Sequence, residues 1–297
     1  MKYSGIGGQA VMEGIMMRND KKYAVAVRKP DKEIDVQVFY YKGVIKNETL
    51  KKTPFIRGVF NFVDSLYLGM TSLLHSADFI EDEEEKMDLE KEKAMMGWTV
   101  ALAIIMAIGL FFVLPYLISL LFQSFITSHF VVALLEGLVR LAIFIGYVSL
   151  VALMPEIKRT YMYHGAEHKC INCIEHGLEL TVENVQKSSK EHKRCGTSFL
   201  FLVILISIIF FMFIQVKSGI IKLVIRLLLI PVIAGVSYEF IRFAGRFDNW
   251  LVNLISAPGL LMQRITTLEP EDDMVEVAIA AIEAVFDWKK WQEENLV

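Results

Sequence analysis

Charge is missing from two long stretches of this 297-residue sequence: residues 98–122 and residues 197–216 contain no Asp, Glu, Lys or Arg. Each stretch is long enough for a helix that crosses a hydrocarbon core, which needs about 20 residues. With 54% hydrophobic residues in the whole chain, this pattern excludes an ordinary soluble domain. The sequence predicts an α-helical integral membrane protein.

Other absences exclude further classes. The chain has only three cysteines, too few for a disulfide-stapled scaffold, and we expect them to stay reduced in the cytoplasm. The glycine-rich residues 5–18 lack the Gly-Lys-Ser/Thr ending of a phosphate-binding loop. No basic stripe with interleaved aromatic residues indicates nucleic-acid binding. Residues 1–20 lack a basic region followed by an apolar core, so we expect no cleavable signal peptide.

About four transmembrane helices are predicted. The second contains Glu136 and Arg140, which lie one helical turn apart and can neutralise each other. Residues 250–263 are apolar but short, and we expect Pro258 and Gly259 to break them into an interfacial or re-entrant segment. The predicted spans are residues 98–122, 130–154, 197–216 and 220–240.

Basic residues set the expected orientation. Residues 155–196 carry seven Lys and Arg side chains, whereas residues 123–129 carry none. The positive-inside rule then predicts a multi-pass protein of the cell inner membrane with both termini in the cytoplasm. The predicted divisions are a cytoplasmic region 1–97 with a β-hairpin and an amphipathic helix, transmembrane helices 98–154, a cytoplasmic His/Cys loop 155–196, transmembrane helices 197–240, and a cytoplasmic region 241–297 with the interfacial segment and a second amphipathic helix.

The cytoplasmic α+β portion has local patterns of its own. β-Branched and aromatic residues at 23–28 and 34–40 flank a Lys-Pro-Asp-Lys turn and predict a small β-hairpin. The glycine-rich residues 5–18 are expected to be a tight packing segment. Residues 55–80 have apolar residues at helical spacing, which fits either the membrane surface or the protein's own soluble part. The charged residues 81–93 indicate a solvated linker, and residues 275–286 a docking helix.

Residues 161–177 concentrate the chemistry, since they hold three of the six histidines and two of the three cysteines. On a helix that turns 100° per residue, His164, His168 and Glu175 lie within about 40° of one another, and Glu167 lies about 60° to the other side. The tetrad His-x-x-Glu-His fits the inverted zincin pattern, in which two histidines bind zinc and the glutamate activates water. Cys170 and Cys173 would point to the far side of such a helix.

The remaining ligands stay open at this point. Glu175, His192 or Cys195 would complete three protein ligands and leave one position for water or substrate, as in catalytic zinc sites. A structural site would instead use His164, His168, His192 and Cys195 and have no open position. Histidines beside lysines at a membrane surface also contact phosphates or cap helices, and Cys195 beside Arg194 has the surroundings of a reactive thiol.

Several blocks resemble a known family. Residues 7–18, residues 164–169 (His-Gly-Ala-Glu-His-Lys), residues 194–199 (Arg-Cys-Gly-Thr-Ser-Phe) and residues 258–270 are similar to the signature blocks of the YqhQ-like family. This is a bacterial membrane family of unknown function, whose members are sometimes described as predicted metal-dependent enzymes. The resemblance covers nearly the whole chain. It implies that Cys173 or Cys195, rather than Cys170, is the functional thiol, and that the blocks assemble on one cytoplasmic face.

Two functions from different classes follow. The first is a zinc-dependent hydrolase acting on a peptide or lipid at the inner leaflet, with Glu167 as general base and a divalent metal as cofactor. The second is a non-enzymatic membrane scaffold or regulator, with or without a structural metal, that docks protein partners at the cytoplasmic face. A transporter is a third reading that would need a homo-oligomer, because only one charge pair lies deep in the predicted bundle. Membrane lipid is the expected partner in each case.

Overall fold

The computed structural model describes residues 3–44, 48–79, 89–216, 218–245 and 249–296. Most of the linker predicted at residues 81–93 lies outside these ranges. The described residues form a four-stranded sheet followed by a predominantly helical remainder.

The sheet is an antiparallel meander of β1 (Gly7–Val11), β2 (Gly14–Asn19), β3 (Lys22–Arg28) and β4 (Ile34–Tyr40) in the order β1-β2-β3-β4. Side chains alternate between the two faces of a strand. Ile15 and Met17 pack on one face within the largest apolar core, whereas Met16 and Val25 pack on the other face against Leu68. The two central strands are therefore buried on both faces.

The predicted hairpin is present as β3 and β4, but it is half of a larger sheet. The glycine-rich residues, expected only to pack tightly, also supply β1 and β2. Glycine and methionine do not favour strands, so this segment carries no alternating pattern. Close packing is real as well, because a Cβ on Gly14 would lie 2.2 Å from the carbonyl oxygen of Ala26 on the neighbouring strand.

Helices make up the rest of the fold. A π-helical turn, Gly109–Val113, separates α3 from α4. The α-helices are α1 (Glu48–Lys52), α2 (Ile56–Ala77), α3 (Leu89–Ile108), α4 (Leu114–Phe122), α5 (His129–Val151), α6 (Pro155–Glu175), α7 (Val182–Lys187), α8 (Gly196–Met212), α9 (Gly219–Ala244), α10 (Trp250–Thr266), α11 (Asp272–Val285) and α12 (Trp288–Leu296).

Three helical stretches are long and apolar enough to cross a membrane: Gly97–Phe122, His129–Val151 and Gly219–Ala244. The stretch predicted at residues 197–216 forms α8, which is apolar but ends at Met212 after 17 residues. Its last predicted residues leave the helix at Phe213, so this element is shorter than the sequence pattern indicated.

The expectation that Pro258 and Gly259 break their segment is wrong. Helix α10 runs through both residues from Trp250 to Thr266. Proline removes one backbone donor from a helix, and here close packing on α8 supports the helix at that point. A Cβ on Gly259 would lie 3.0 Å from the Ser198 side chain.

The apolar stripe of α2 does not pack against the rest of the described chain. Val63, Leu66 and Met70 on this stripe are 39–57% exposed, whereas the buried face of α2 contains Asp64 and Ser72. Asp64 accepts hydrogen bonds from the Tyr41 hydroxyl and the Val44 backbone amide. Of the two predicted environments for this stripe, burial in the protein's own soluble part is therefore not observed.

The main apolar core lies between the sheet, α6 and α11. Tyr163 and Ile174 of α6 and Met274 and Ile282 of α11 are fully buried there. Gly165 allows the segment between α10 and α11 to approach α6 closely, since a Cβ at this position would lie 1.9 Å from the Leu268 carbonyl oxygen. This packing holds α6 rigidly below the sheet.

A buried ionic cluster joins the apolar helices. Glu136 and Arg140 form the predicted pair at 3.2 Å, and Arg226 of α9 also donates to both carboxylate oxygens of Glu136. Arg140 additionally donates from Nε to the carbonyl of Phe111, 2.8 Å away in the π-helical turn. Glu136, Arg140 and Arg226 are each at most 3% exposed, so the carboxylate compensates two buried guanidinium groups.

Replacing this carboxylate is expected to be costly. Glu136→Gln removes the charge that Arg140 and Arg226 share, and breaking a buried pair typically costs about 3–5 kcal/mol in free energy of unfolding. The thermal unfolding temperature of detergent-purified protein, followed by tryptophan fluorescence, should fall clearly. Glu156→Gln, at an exposed position in the first turn of α6, is the matched control and should change little. An unchanged transition in Glu136→Gln would contradict this role.

Candidate metal and catalytic site

One unbroken helix carries both histidines of the His-x-x-Glu-His motif. Helix α6 continues to Glu175, and the rings of His164 and His168 lie 4.4 Å apart between centroids. Cys195 approaches them from the start of α8, with Sγ 3.3 Å from Nε2 of His164. The ligand atoms of these three residues all lie within 4.8 Å of one another.

Two backbone carbonyls orient the imidazole rings. Nδ1 of His164 lies 2.9 Å from the Thr266 oxygen, and Nδ1 of His168 lies 2.7 Å from the Lys190 oxygen. A carbonyl oxygen only accepts hydrogen bonds, so each Nδ1 must carry the proton and donate. In the neutral ring the free lone pair is then on Nε2. This arrangement, with the second nitrogen held by a carbonyl, is typical of metal-ligating histidines.

The loop that supplies the Lys190 carbonyl is itself fixed. Asn172 of α6 donates from Nδ2 to the carbonyls of Ser189 and Glu191, at 2.6 Å and 3.0 Å. Gln263 of α10 donates to the His192 carbonyl at 2.7 Å and accepts from the His192 amide at 2.9 Å. The ring of His168 therefore rests against a loop that is anchored on both sides.

Cys195 sits at the N-cap of α8, where its Sγ accepts a hydrogen bond from the Thr197 amide at 3.4 Å. Burial alone would raise the pKa of this thiol, but the charges of His164 and His168 and their hydrogen bonds outweigh burial and hold the pKa well below its usual value. Burial likewise opposes protonation of His164, yet the neighbouring Cys195 raises the pKa of that imidazole to about 9. The thiol is thus prepared to ionise, as a metal ligand or a nucleophile must.

Glu167 lies on α6 between the two histidines and is 5% exposed. Burial raises the pKa of its carboxyl group, against the opposing charges of His164 and His168. The backbone amide of Gly8 in β1 donates to Oε1 of Glu167 at 2.9 Å. Only glycine fits at this position, because a Cβ would lie 2.4 Å from Sδ of Met17 and 2.6 Å from the Met16 carbonyl oxygen.

Glu175 does not join the three clustered residues, although it shares the helical face of His164 and His168. It lies seven residues after His168, which at 1.5 Å per residue places it about 10 Å further along the axis. Its Oε1 instead accepts hydrogen bonds from Nη2 of Arg194 at 2.7 Å and from the Ser4 backbone and hydroxyl. Angular position predicted the correct face but not the distance along the helix.

His192 lies beside the cluster but is engaged elsewhere. Its Nε2 accepts a hydrogen bond from Nη2 of Arg194 at 3.0 Å, a direction that requires the neutral acceptor nitrogen. Burial lowers the pKa of His192, which favours that neutral form. The ring of His192 therefore lies next to that of His168, with 5.5 Å between the ring centroids. His192 is not one of the three closely spaced residues.

The other two cysteines lie on the far side of α6, as the helical spacing predicts. Cys170 and Cys173 are fully buried in the main apolar core. Burial raises the pKa of both thiols. They are small apolar core residues in this structure and remain unpaired.

A cavity of about 820 Å³ opens over the cluster. Its walls include the residues of the cluster itself, the glycine-rich β1, part of α2 and the last turns of α9. Gln9, Arg18 and Arg242 also line it. Gln9 and Arg18 fall within the block at residues 7–18, but no sequence pattern assigned any of the three residues to the site. They come from separate elements with no common spacing, so only the folded chain brings them together.

Comparison with known proteins shows the family of this chain. Residues 53–288 match the model of a family described as "Protein of unknown function (DUF1385)". The "Uncharacterized protein YqhQ" of Bacillus subtilis (strain 168) is 32% identical over 301 aligned residues, covering 97% of this chain and 94% of the relative. The chain belongs to this YqhQ-like family. No solved structure matches.

The four blocks by which the sequence resembles this family meet around the cluster, and the first three also line the cavity. The first supplies Gly8, the second supplies His164, Glu167 and His168, and the third supplies Cys195. The last supplies the Gln263 side chain and the Thr266 carbonyl, which position the loop and the His164 ring. Segments more than 200 residues apart in the chain therefore form a single site in this member of the family.

The Glu175–Arg194 pair makes a prediction about pH. Burial alone would raise the pKa of Glu175, but the neighbouring His192, together with the charge and hydrogen bonds of Arg194, brings it to about 2. A carboxylate with a depressed folded pKa stabilises above its unfolded pKa of about 4.3, and this contribution is lost as the pH falls toward the folded value. Glu175→Gln should therefore lower the unfolding temperature at pH 7, and the gap to the wild type should narrow below about pH 4.3.

Thermal unfolding between pH 7 and pH 3 tests this expectation. Glu179→Gln, at an exposed position near the end of α6, serves as the control and should follow the wild-type curve. A gap between Glu175→Gln and wild type that stays constant over the whole range would show that the Glu175 charge does not stabilise the fold.

Proposed function

We propose that this protein is a metal-dependent hydrolase of the cell inner membrane whose site faces the cytoplasm. His164, His168 and Cys195 would hold one divalent ion, and Glu167 would act as general base. The observation that carries the proposal is the pair of carbonyl hydrogen bonds that turn both Nε2 atoms toward the Cys195 sulfur. Residues with only structural roles rarely need this convergence.

The donor set fits zinc best. Two imidazole nitrogens and one thiolate are ligands that zinc prefers, and hard oxygen-seeking ions such as Mg²⁺ are disfavoured by them. When bound with three protein ligands, such an ion supplies Lewis acidity and lowers the pKa of a coordinated water. The engagement of His192 by Arg194 and of Glu175 by Arg194 and Ser4 supports an open fourth position over the closed structural set.

Glu167 would handle the proton. In hydrolysis, the hydroxyl part of water adds to the electrophilic atom of the substrate, and the proton reaches the leaving group. A buried carboxylate with a raised pKa is suited to accept that proton and pass it on. The Gly8 amide fixes Oε1, so the second oxygen of the same carboxylate remains for the proton transfer. The cavity over the cluster gives a substrate room to approach.

The membrane topology belongs to the same proposal. Four crossings would result if α8 spans together with the three longer helices, placing both termini and residues 155–196 on one side. Seven basic residues in 155–196 and none in 123–129 support a cytoplasmic position for the site. The exposed apolar stripe on α2 supports a position of that helix at the membrane surface.

Metal content tests the site directly. Plasma emission spectrometry on protein purified in detergent without chelator should find about one zinc per chain in the wild type and in Glu167→Gln, because the base is not one of the three ligands of a catalytic site. His168→Ala and Cys195→Ser should lose the ion. Cys173→Ala is the matched control for Cys195→Ser, since Cys173 lies in the apolar core, and it should keep the ion.

Complementation of a deletion strain separates the enzyme from a scaffold. Glu167→Gln should keep the metal but fail to restore function, because only proton transfer is removed. A metal-free wild type would remove the basis of the proposal. Full complementation by Glu167→Gln would instead favour the non-enzymatic scaffold or regulator.

A further inference from the structure

The walls of the cavity carry an excess of arginine. Arg18 from the end of β2, Arg194 from the loop before α8 and Arg242 from the last turns of α9 all line it, and the carboxylates that do so are Asp20 and Glu167. Guanidinium groups are suited to phosphate and carboxylate recognition because of their planar set of donors. An anionic ligand would balance the positive charge of these arginines.

Donors of these arginines remain unused within the described part of the chain. Nη1 of Arg194 is buried without a hydrogen-bond partner there, although its Nη2 pairs with Glu175. Arg18 uses Nε for the Asp20 carbonyl, 2.6 Å away. Arg242 forms no hydrogen bond or ion pair with the described residues, and the nearby carboxylate of Glu239 pairs with Arg57. Buried or partly buried donors without acceptors are costly, and a ligand can supply the acceptors.

The position of the cavity indicates where such a ligand comes from. One wall consists of Tyr238, Ile241 and Arg242, the final turns of a helix long enough to cross a membrane. Asn61 and Ser65 of α2 also line the cavity. A cavity at the end of a membrane-spanning helix opens at the depth of lipid head groups.

Helix α2 adds exposed apolar surface beside the cavity. It packs on α9 through Gly58, where a Cβ would lie 2.6 Å from Cβ of Tyr238, and Asn61 donates to the Tyr238 hydroxyl at 2.8 Å. The outer face of α2 exposes Leu66, Tyr67 and other apolar residues. Because this exposed face is apolar, lipid is the occupant that fits it.

We propose that the cavity binds the phosphate-bearing head group of an anionic membrane lipid, with Arg18 and Arg242 as the anchoring cations. The proposal rests on the proposed function for the reaction, of which this lipid would be the substrate, but the binding itself requires no metal. The shared chemistry is a phosphate group, which a soluble phosphate ester also carries. The exposed apolar face of α2 beside the cavity favours the lipid.

Native mass spectrometry of the full chain in detergent can measure this preference. The protein is mixed with phosphatidylglycerol and phosphatidylcholine of identical acyl chains, and the bound fractions are compared. We expect wild type to favour phosphatidylglycerol by at least roughly tenfold, because the choline ammonium group of phosphatidylcholine offsets the phosphate charge and repels the two guanidinium groups. Arg18→Gln with Arg242→Gln should lose that preference. Arg264→Gln is the control, because Arg264 is 70% exposed on α10 outside the cavity, and it should keep the preference.

The single variant Arg242→Gln serves as a check against misfolding, because this substitution disturbs no hydrogen bond of the described chain. It should weaken the preference for phosphatidylglycerol severalfold at an unchanged unfolding temperature. Equal binding of the two lipids by wild type, or an unchanged preference in the double variant, would overturn the proposal. Displacement of the bound lipid by an equal concentration of glycerol 3-phosphate would assign the site to a soluble anion and overturn the lipid part. If His168→Ala lacks metal but keeps the preference, the lipid site is supported independently of the hydrolysis.

Discussion

Two hydrogen bonds from imidazole Nδ1 atoms to backbone carbonyls are the constraint on which the site depends. His164 donates to the carbonyl of Thr266, the last residue of α10, and His168 donates to the carbonyl of Lys190 in the loop before α8. These bonds set which nitrogen of each ring faces the Cys195 sulfur. They also connect α6 to two segments that are distant in the sequence, so the same hydrogen bonds position the candidate ligands and contribute to the packing of the fold.

Two groups of charged side chains, one among the apolar helices and one around the candidate site, are balanced in different ways. Among the apolar helices, Glu136 serves two guanidinium groups and leaves little freedom for either. Around the candidate site, Glu175 is satisfied by Arg194 and Ser4, while Arg18 and Arg242 face a cavity. The first group joins helices to one another and has a structural role. The second has unused donors where a ligand can reach them, which is the usual property of a binding site.

The sequence predicts those parts of the site that depend on short spacing. Histidines four residues apart must share a helical face, and the cysteines at 170 and 173 must point away from it. Spacing cannot choose among Glu175, His192 and Cys195, because the choice depends on a loop that folds back over α6. Angular position favoured Glu175, but the rise along the axis removes it from the cluster. Arg18 and Arg242 carry no local pattern, so their meeting at one cavity follows only from the tertiary packing.

The same distinction applies to the fold. Uncharged runs and alternating residues predict apolar helices and the β3–β4 hairpin, since burial acts directly on those patterns. The glycine-rich strands β1 and β2 escape this logic because close backbone approach, at Gly8 and Gly14, selects residues with poor strand propensity. The stripe on α2 has the expected period, yet it faces outward. Periodicity reports that a helix has two faces, and the surrounding medium decides which face is covered by protein.

X-ray absorption spectroscopy at the zinc edge of the zinc-loaded full chain would test the central claim most directly. We predict a coordination shell with one sulfur scatterer at about 2.3 Å and two imidazole nitrogens at about 2.0–2.1 Å, the usual distances for zinc. The sulfur contribution should disappear in Cys195→Ser and persist in Cys173→Ala. A shell without sulfur in the wild type, or an identical spectrum in Cys195→Ser, would contradict the assignment of His164, His168 and Cys195 as the ligands.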